Sequence, residues 1–326
     1  MHAMLKRRNV VVGGAAAATL AALPWLTGCT SGGPLRVGIH PWIGYETLNL
    51  AREFNWLPAE VELQRGKSSA DSLAGLIAGT LDAACLTLDE ALEVRANGVE
   101  LTVALVFDVS AGADVVMVRP SIAKLAGLAG KRIGVEQNTL GDLVLGKLLE
   151  AAGLNAADVH VVNLSVDKQP QAWRNNEIDA AVTYEPLASE LERAGALRLY
   201  DSRQMPDLIF DVLAVRADVG RARSELLQQL IAGHFRGLAH VHSNRQDALF
   251  RIAARQGVVP EVVQKALSGV VMPSLEANRG YLAGNAARLI RAAQTLSALM
   301  VQRGKIKAAD SMLNLTSPVW LPANDN

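Results

Sequence analysis

"GTLDAACLT", residues 79–87, is answered later in the chain by "NEIDAAVTY", residues 176–184. Each reads as a short apolar strand entered through an aspartate. Upstream of each lies a second matching strand, "RVGI" at 36–39 and "RIGV" at 132–135. The intervals agree too: 46 residues separate Arg36 from Asp82, and 47 separate Arg132 from Asp179. A unit present twice at this length is one supersecondary motif built two times, not a solenoid, which needs more copies.

Inside both copies the order is strand, loop, helix, strand, loop, helix, strand. In the first, "VELQRG" is a strand, Ser68 and Ser69 offer N-cap hydroxyls, and Leu73, Leu76 and Ile77 form an apolar stripe ending at Gly79. In the second, Leu143, Leu145, Leu148 and Leu149 mark a helix from about Thr139, Gly153 stops it, and "VHVVNL" follows. Strands alternating with helices predict an α/β protein with two parallel-type sheets. A further echo, "ADVVMVRP" at 113–120 and "DVLAVRAD" at 211–218, gives two connecting strands. The expected organisation is therefore a first lobe of 35–115 plus 212–326 and a second, inserted lobe of 116–211. Two strands joining two lobes make a hinge.

With 50% apolar and 20% charged residues, the chain can bury two cores. Lys+Arg and Asp+Glu are both 32, so no basic face for nucleic acid is expected. Residues 1–28 read as a signal peptide: Lys6, Arg7 and Arg8, an apolar run from Val10 to Leu23, then Leu26-Thr27-Gly28-Cys29. Fourteen apolar residues span about 21 Å as a helix, short of the roughly 30 Å a bilayer core demands. The tetrad looks like a bacterial lipobox, so Cys29 is the expected lipidation site and 29–34 a short tether. Removal of 1–28 leaves 29 basic and 32 acidic residues, a charge of about −3. Export by the general secretory route is favoured over a twin-arginine route. Cys85 is then the one remaining thiol, read as a small buried side chain.

Taken in order, the lipobox, "HPWIGYETLNLAREFNWL", "KSSADSLAGLIAGTLDAACLT", "LAGKRIGVEQNT" and "IDAAVTYEP" resemble the substrate-binding components of ABC importers. The likeness is to the nitrate/sulfonate/taurine and thiamine-pyrimidine-precursor group with its type 2 periplasmic-binding fold, and covers residues 35 to about 320. It implies two lobes closing on a small molecule, with a membrane permease and a separate ATPase as partners, a lipid anchor on the membrane, and a monomer without cofactor.

Ligands of open α/β sheets lie beyond the carboxyl ends of strands. "HPWIGY" occupies that position in the first copy, and Trp42 and Tyr45 are candidate walls for a ring or an ammonium, with wedged packing as the alternative. Phe54 and Trp56, a helix later, are expected in the core. Ser68, Ser69, Asn138 and Thr139 start helices, where free amides suit an anion; the same residues serve as caps. Tyr184 ends its strand. Four acids, Glu46, Asp71, Asp108 and Glu185, could hold an amine or a heterocyclic N–H, or act as caps and salt bridges. Donors with carboxylates suit a zwitterion or an amino-heterocycle better than nitrate, and a sulfonate is also open. His234, His240 and His242 do not share a helical face and are read as solvated or capping rather than metal ligands. No phosphate cradle and no nucleophile elbow occurs. Two rivals stay open: an enzyme on the same fold, for which the Cys-rich iron motif of pyrimidine-precursor synthases is missing, and a ligand sensor for a membrane kinase.

Overall fold

Two Arg–Asp pairs occupy the landmark positions of the repeat. The Arg36 guanidinium grips Asp82 at 3.0 and 2.7 Å while the Arg36 amide donates to the same carboxylate at 2.8 Å. Arg132 and Asp179 repeat this arrangement at 3.0, 2.9 and 3.0 Å. Each pair ties the first strand of its copy of the repeat to the start of the third.

The computed structural model describes residues 33–283 and 288–323. The expected signal segment and Cys29 lie outside them. In the first unit β1 (Leu35–Ile39) leads through α1 (Glu46–Glu53) to β2 (Val61–Arg65), then through α2 (Ser69–Ala78) to β3 (Ala83–Thr87). After α3 (Leu88–Ala96) comes β4 (Leu101–Ser110). The second unit begins with β5 (Asp114–Val118) and continues through β6 (Arg132–Val135), α4 (Thr139–Ala152), β7 (His160–Asn163), α5 (Gln169–Arg174), β8 (Ala180–Tyr184), α6 (Leu187–Arg193) and β9 (Leu197–Asp201). The chain returns in β10 (Phe210–Arg216) and ends in α7 (Ala217–Ala222), α8 (Ser224–Ser243), α9 (Arg245–Gln256), α10 (Pro260–Ser268), the short β11 (Val270–Val271), α11 (Leu275–Leu282) and α12 (Arg288–Gln302). Both α2 and α4 stop at a glycine in the left-handed region, Gly79 at φ 72° and Gly153 at φ 67°.

The sheets are mixed, which corrects the expectation of parallel ones. One has the order β11-β4-β10-β3-β1-β2 and the other β7-β6-β8-β5-β9. In each, three parallel strands meet one antiparallel strand, β10 beside β3 and β5 beside β8, and the next strand, β4 or β9, runs with the three again. The echo between residues 113–120 and 211–218 thus marks two strands in equivalent places, one in each sheet. A strand buried along its whole length, such as β4, carries no sign of direction.

The chain passes between sheets at 111–113 and 202–209, and the two passages are bonded to each other. Ser110 and Ser202 hydroxyls lie 2.7 Å apart, and the Gly112 amide donates to Ser202 Oγ at 2.6 Å. Gly269 accepts from the Ala111 and Ala113 amides at 2.8 and 3.0 Å, tying the start of β11 to the same crossing.

The C-terminal helices close the first unit. A Cβ on Gly237 would stand 2.2 Å from the Thr47 carbonyl oxygen, so glycine lets α8 lie directly on α1. At that contact Thr47 Oγ1 meets His234 Nδ1 at 2.8 Å. His234 is fully buried rather than solvated, and burial pulls its pKa down to about 3, which keeps it neutral. Phe54 and Trp56 are half-buried instead of core: stacked with centroids 4.7 Å apart, they lie against His240 and under the guanidiniums of Arg251 and Arg236. Cys85 is buried in β3 as expected.

Candidate functional site

The carboxyl ends of β1, β3, β6 and β8 converge on one narrow cleft, a cavity of about 30 Å³. A small organic molecule enters it only if the walls part. From the first unit come His40, Pro41 and Trp42 after β1, Ser69 at the start of α2, and Thr87 and Glu90 at the β3–α3 junction. From the second come Glu136 and Asn138 after β6, Leu140, and Tyr184 at the end of β8. Asp114, Ile209 and Asp211 complete it beside the two crossings. Trp42 and Tyr184 face each other edge to face, centroids 5.6 Å apart.

Of the expected site residues, Trp42, Ser69, Asn138 and Tyr184 line this cleft. Tyr45 and Asp108 form a layer beneath it. Tyr45 is fully buried against His40 and Phe107, and its hydroxyl donates a hydrogen bond to Asp211, which does line the cleft. Asp108 accepts from the Trp42 indole N–H at 3.0 Å and lies opposite Asp211 in the β4–β10 register. Gly44 makes that approach possible: a Cβ there would fall 1.7 Å from Asp108 Oδ2. Ser68 is the N-cap residue of α2 and stays outside the cleft lining.

The remaining four are drawn into other contacts. Glu46 is buried and bound by Arg255 and Gln256 of α9, which fastens α1 to that helix. Asp71 is exposed and accepts from the Lys67 amide at 2.7 Å, closing the turn before α2. Glu185 is buried where Arg198 pairs with it, and the Ser189 amide donates to it at 3.0 Å. Thr139 turns away from the cleft to donate to Glu93 of α3, a contact between the two units.

Burial governs the electrostatics. It pulls the His40 pKa down to about 4, so the ring is neutral at pH 7. Burial raises Asp114 to about 6 and lifts Glu90 and Glu136 as well. Asp108 is pushed up to about 8 by burial, and Asp211 well above its ordinary range by burial and by the neighbouring Asp108. At neutral pH these two opposed carboxyls hold protons.

Glu90, Asp114, Glu136 and Asp211 were absent from the sequence expectation. Asp211 and Asp108 each interrupt an apolar strand, a visible signal; Glu136 directly follows β6. Glu90 reads from sequence only as a first-turn helix acid. Among the described residues, no three His, Cys, Asp or Glu side chains gather as a metal would need. A larger surface groove of about 660 Å³ lies at the opposite end of the first sheet, by Leu101, Ala217 and Trp320, where Arg95 and Asp310 neutralise each other at 2.7 Å.

A sequence model of the family described as NMT1/THI5 like matches residues 59–248, and the chain belongs to that family. Similarity extends to a protein of Brucella abortus (strain 2308) named only as a binding protein, 30% identical over 36% of this chain and 39% of that one. The taurine-binding periplasmic protein of Escherichia coli K12 is 27% identical over 52% of this chain and 54% of its own. The chain thus spans about half the length of these curated relatives, or less. The structure of the periplasmic aliphatic sulphonate binding protein of Escherichia coli superposes with TM-score 0.72 at 17% identity, over 88% of this chain and 92% of that one. The desulfurization enzyme DszB superposes with TM-score 0.66 at 18% identity, over 89% and 97%. These likenesses show the fold: two-lobed, α/β, of the periplasmic binding protein kind.

Proposed function

We propose that the protein is the solute-binding component of an ABC importer, in which two lobes close on a small organic molecule and deliver it to a membrane permease. One observation carries this: a cleft at the carboxyl ends of both sheets, walled by Trp42 from one and Tyr184 from the other, beside two mutually bonded crossings that can act as a hinge. The names of the taurine-binding and sulphonate-binding relatives support the same role.

Chemistry is not part of this reading, although DszB shares the fold. Cys85, the thiol among the described residues, is sealed inside β3, and burial pushes its pKa well above the ordinary value. A buried neutral thiol is a poor nucleophile. Export with an acyl anchor at Cys29 completes the reading; no helix among the described residues is long and apolar enough to cross a membrane. Cys29→Ala is expected to move the protein from the membrane fraction to the soluble one, and an unchanged distribution counts against the anchor.

X-ray scattering of the full chain in detergent tests the closure. A radius of gyration that shrinks on adding a compound found to bind by calorimetry is the expected result; an identical curve with bound compound sinks the closing-lobe reading.

A further inference from the structure

We propose that the cleft takes an organic cation bearing N–H donors, an amine or amidine, rather than an anion. This rests on the cleft being the solute site.

Four carboxyl side chains line the cavity, Glu90, Asp114, Glu136 and Asp211, and no lysine or arginine does. His40 adds no positive charge, being neutral at pH 7. Several of the donors an anion would use are engaged by the chain's own oxygens, while the Thr87 hydroxyl and His40 Nδ1, also at the cavity, are buried without a partner. Asn138 Oδ1 accepts from the Gly141 amide at 2.7 Å at the start of α4, and Glu90 accepts from the Thr87 amide at 3.0 Å. Ser69 bonds Glu90, Asn138 Nδ2 donates to Glu136 at 3.3 Å, and the Trp42 indole N–H is held by Asp108.

An acceptor is also left over. Asp114 Oδ2 is buried without a hydrogen-bond partner, on a side chain that lines the cavity and is only 3% exposed; Asp211 Oδ2 is unpaired too, but on a carboxyl that holds a proton at neutral pH. A buried acceptor without a donor costs about 1–3 kcal/mol, and an ammonium or amidinium brings the donors and the charge together. The rings of Trp42 and Tyr184 add faces that attract a cation. The carboxyls are spread round the walls rather than gathered three to a point, which fits an extended organic cation and not a bare metal ion. The sulphonate-binding relative shares the fold at 17% identity, low enough for the lining to have changed in charge.

Calorimetric titration of the full chain in detergent tests this with methylamine, putrescine, agmatine and benzamidine as cations, and ethanesulfonate, taurine and nitrate as anion-bearing counterparts. At least one cation is expected to bind about tenfold or more tightly than every anion-bearing compound, and to weaken about tenfold in Glu136→Gln or Asp114→Asn. Binding of an anion-bearing compound with the cations silent, lost in Tyr184→Ala, overturns the charge assignment while keeping the cleft as the solute site. Binding that survives all three substitutions lies elsewhere and overturns both. Silence from all seven compounds overturns the cation assignment as well. Far-ultraviolet circular dichroism of each variant, matched to the parent, excludes loss of fold as the cause.

Discussion

Trp42 and Tyr184 meet edge to face at 5.6 Å although one follows a strand of the first sheet and the other ends a strand of the second. Trp42 is also fixed from below through its indole N–H on Asp108, whereas Tyr184 is bound to the first unit through this ring contact. The two rings should therefore respond differently to truncation. Tyr184→Ala is expected to remove solute binding and leave the ligand-free melting temperature within a few degrees. Trp42→Phe strips a buried carboxyl of its donor and is expected to cost about 1–3 kcal/mol in urea unfolding even without ligand. Equal losses of stability in both variants would contradict this division.

Gly44 sets the distance between the Trp42 turn and Asp108. A Cβ at 1.7 Å from a buried carboxylate oxygen cannot be absorbed by a small shift, because Asp108 lies in a fully buried strand. Gly44→Ala is expected to lower stability by more than about 3 kcal/mol, the range of overpacked cores. A variant melting with the parent would show that the turn can yield.

The opposed carboxyls Asp108 and Asp211 make stability depend on pH. Both are raised in the fold, Asp108 to about 8, so the folded chain holds protons that the unfolded chain releases above about 4. Their favourable contribution is complete below pH 4 and is lost as the pH rises through about 8. Asp108→Asn keeps an acceptor for Trp42 and removes this titration. Thermal unfolding is expected to show the variant gaining on the parent between pH 5.5 and 8.5, by several degrees. A constant difference would place the proton elsewhere.

Asp179 behaves in the opposite sense. The Arg132 guanidinium holds its carboxyl down to about 2, so its contribution is present above the unfolded value near 4 and is lost as the pH falls toward 2. Asp179→Asn is expected to destabilise modestly at pH 7, since the pair is partly exposed, and the gap from the parent should close as unfolding is measured from pH 4 to 2.5. Asp82→Asn should give the same sign, because the Arg36–Asp82 pair repeats the geometry.

The repeat was legible because its landmarks are themselves bonded: the interval from Arg36 to Asp82, and from Arg132 to Asp179, is the span of an ion pair. Strand direction was not, since β4 and β10 are mainly apolar and only their pairing shows them antiparallel. Among the acids, the partner decides the role. Glu46 meets Arg255 across 209 positions, a distance no single sequence reveals. Asp211 could have been suspected from a charge set in "FDVLAV", yet its place at the cleft depends on Tyr45 and Asp108 arriving from two other segments.

The seat of Trp42 also makes it an optical probe. Trp56 lies beneath Arg236, Trp173 beneath Arg119 and Trp320 in the groove at the far end of the sheet, so none of these three touches the cleft. Among the described residues, occupancy would change the surroundings of one indole while the other three stay constant, and the emission of the unlabelled protein becomes a gauge of how full it is.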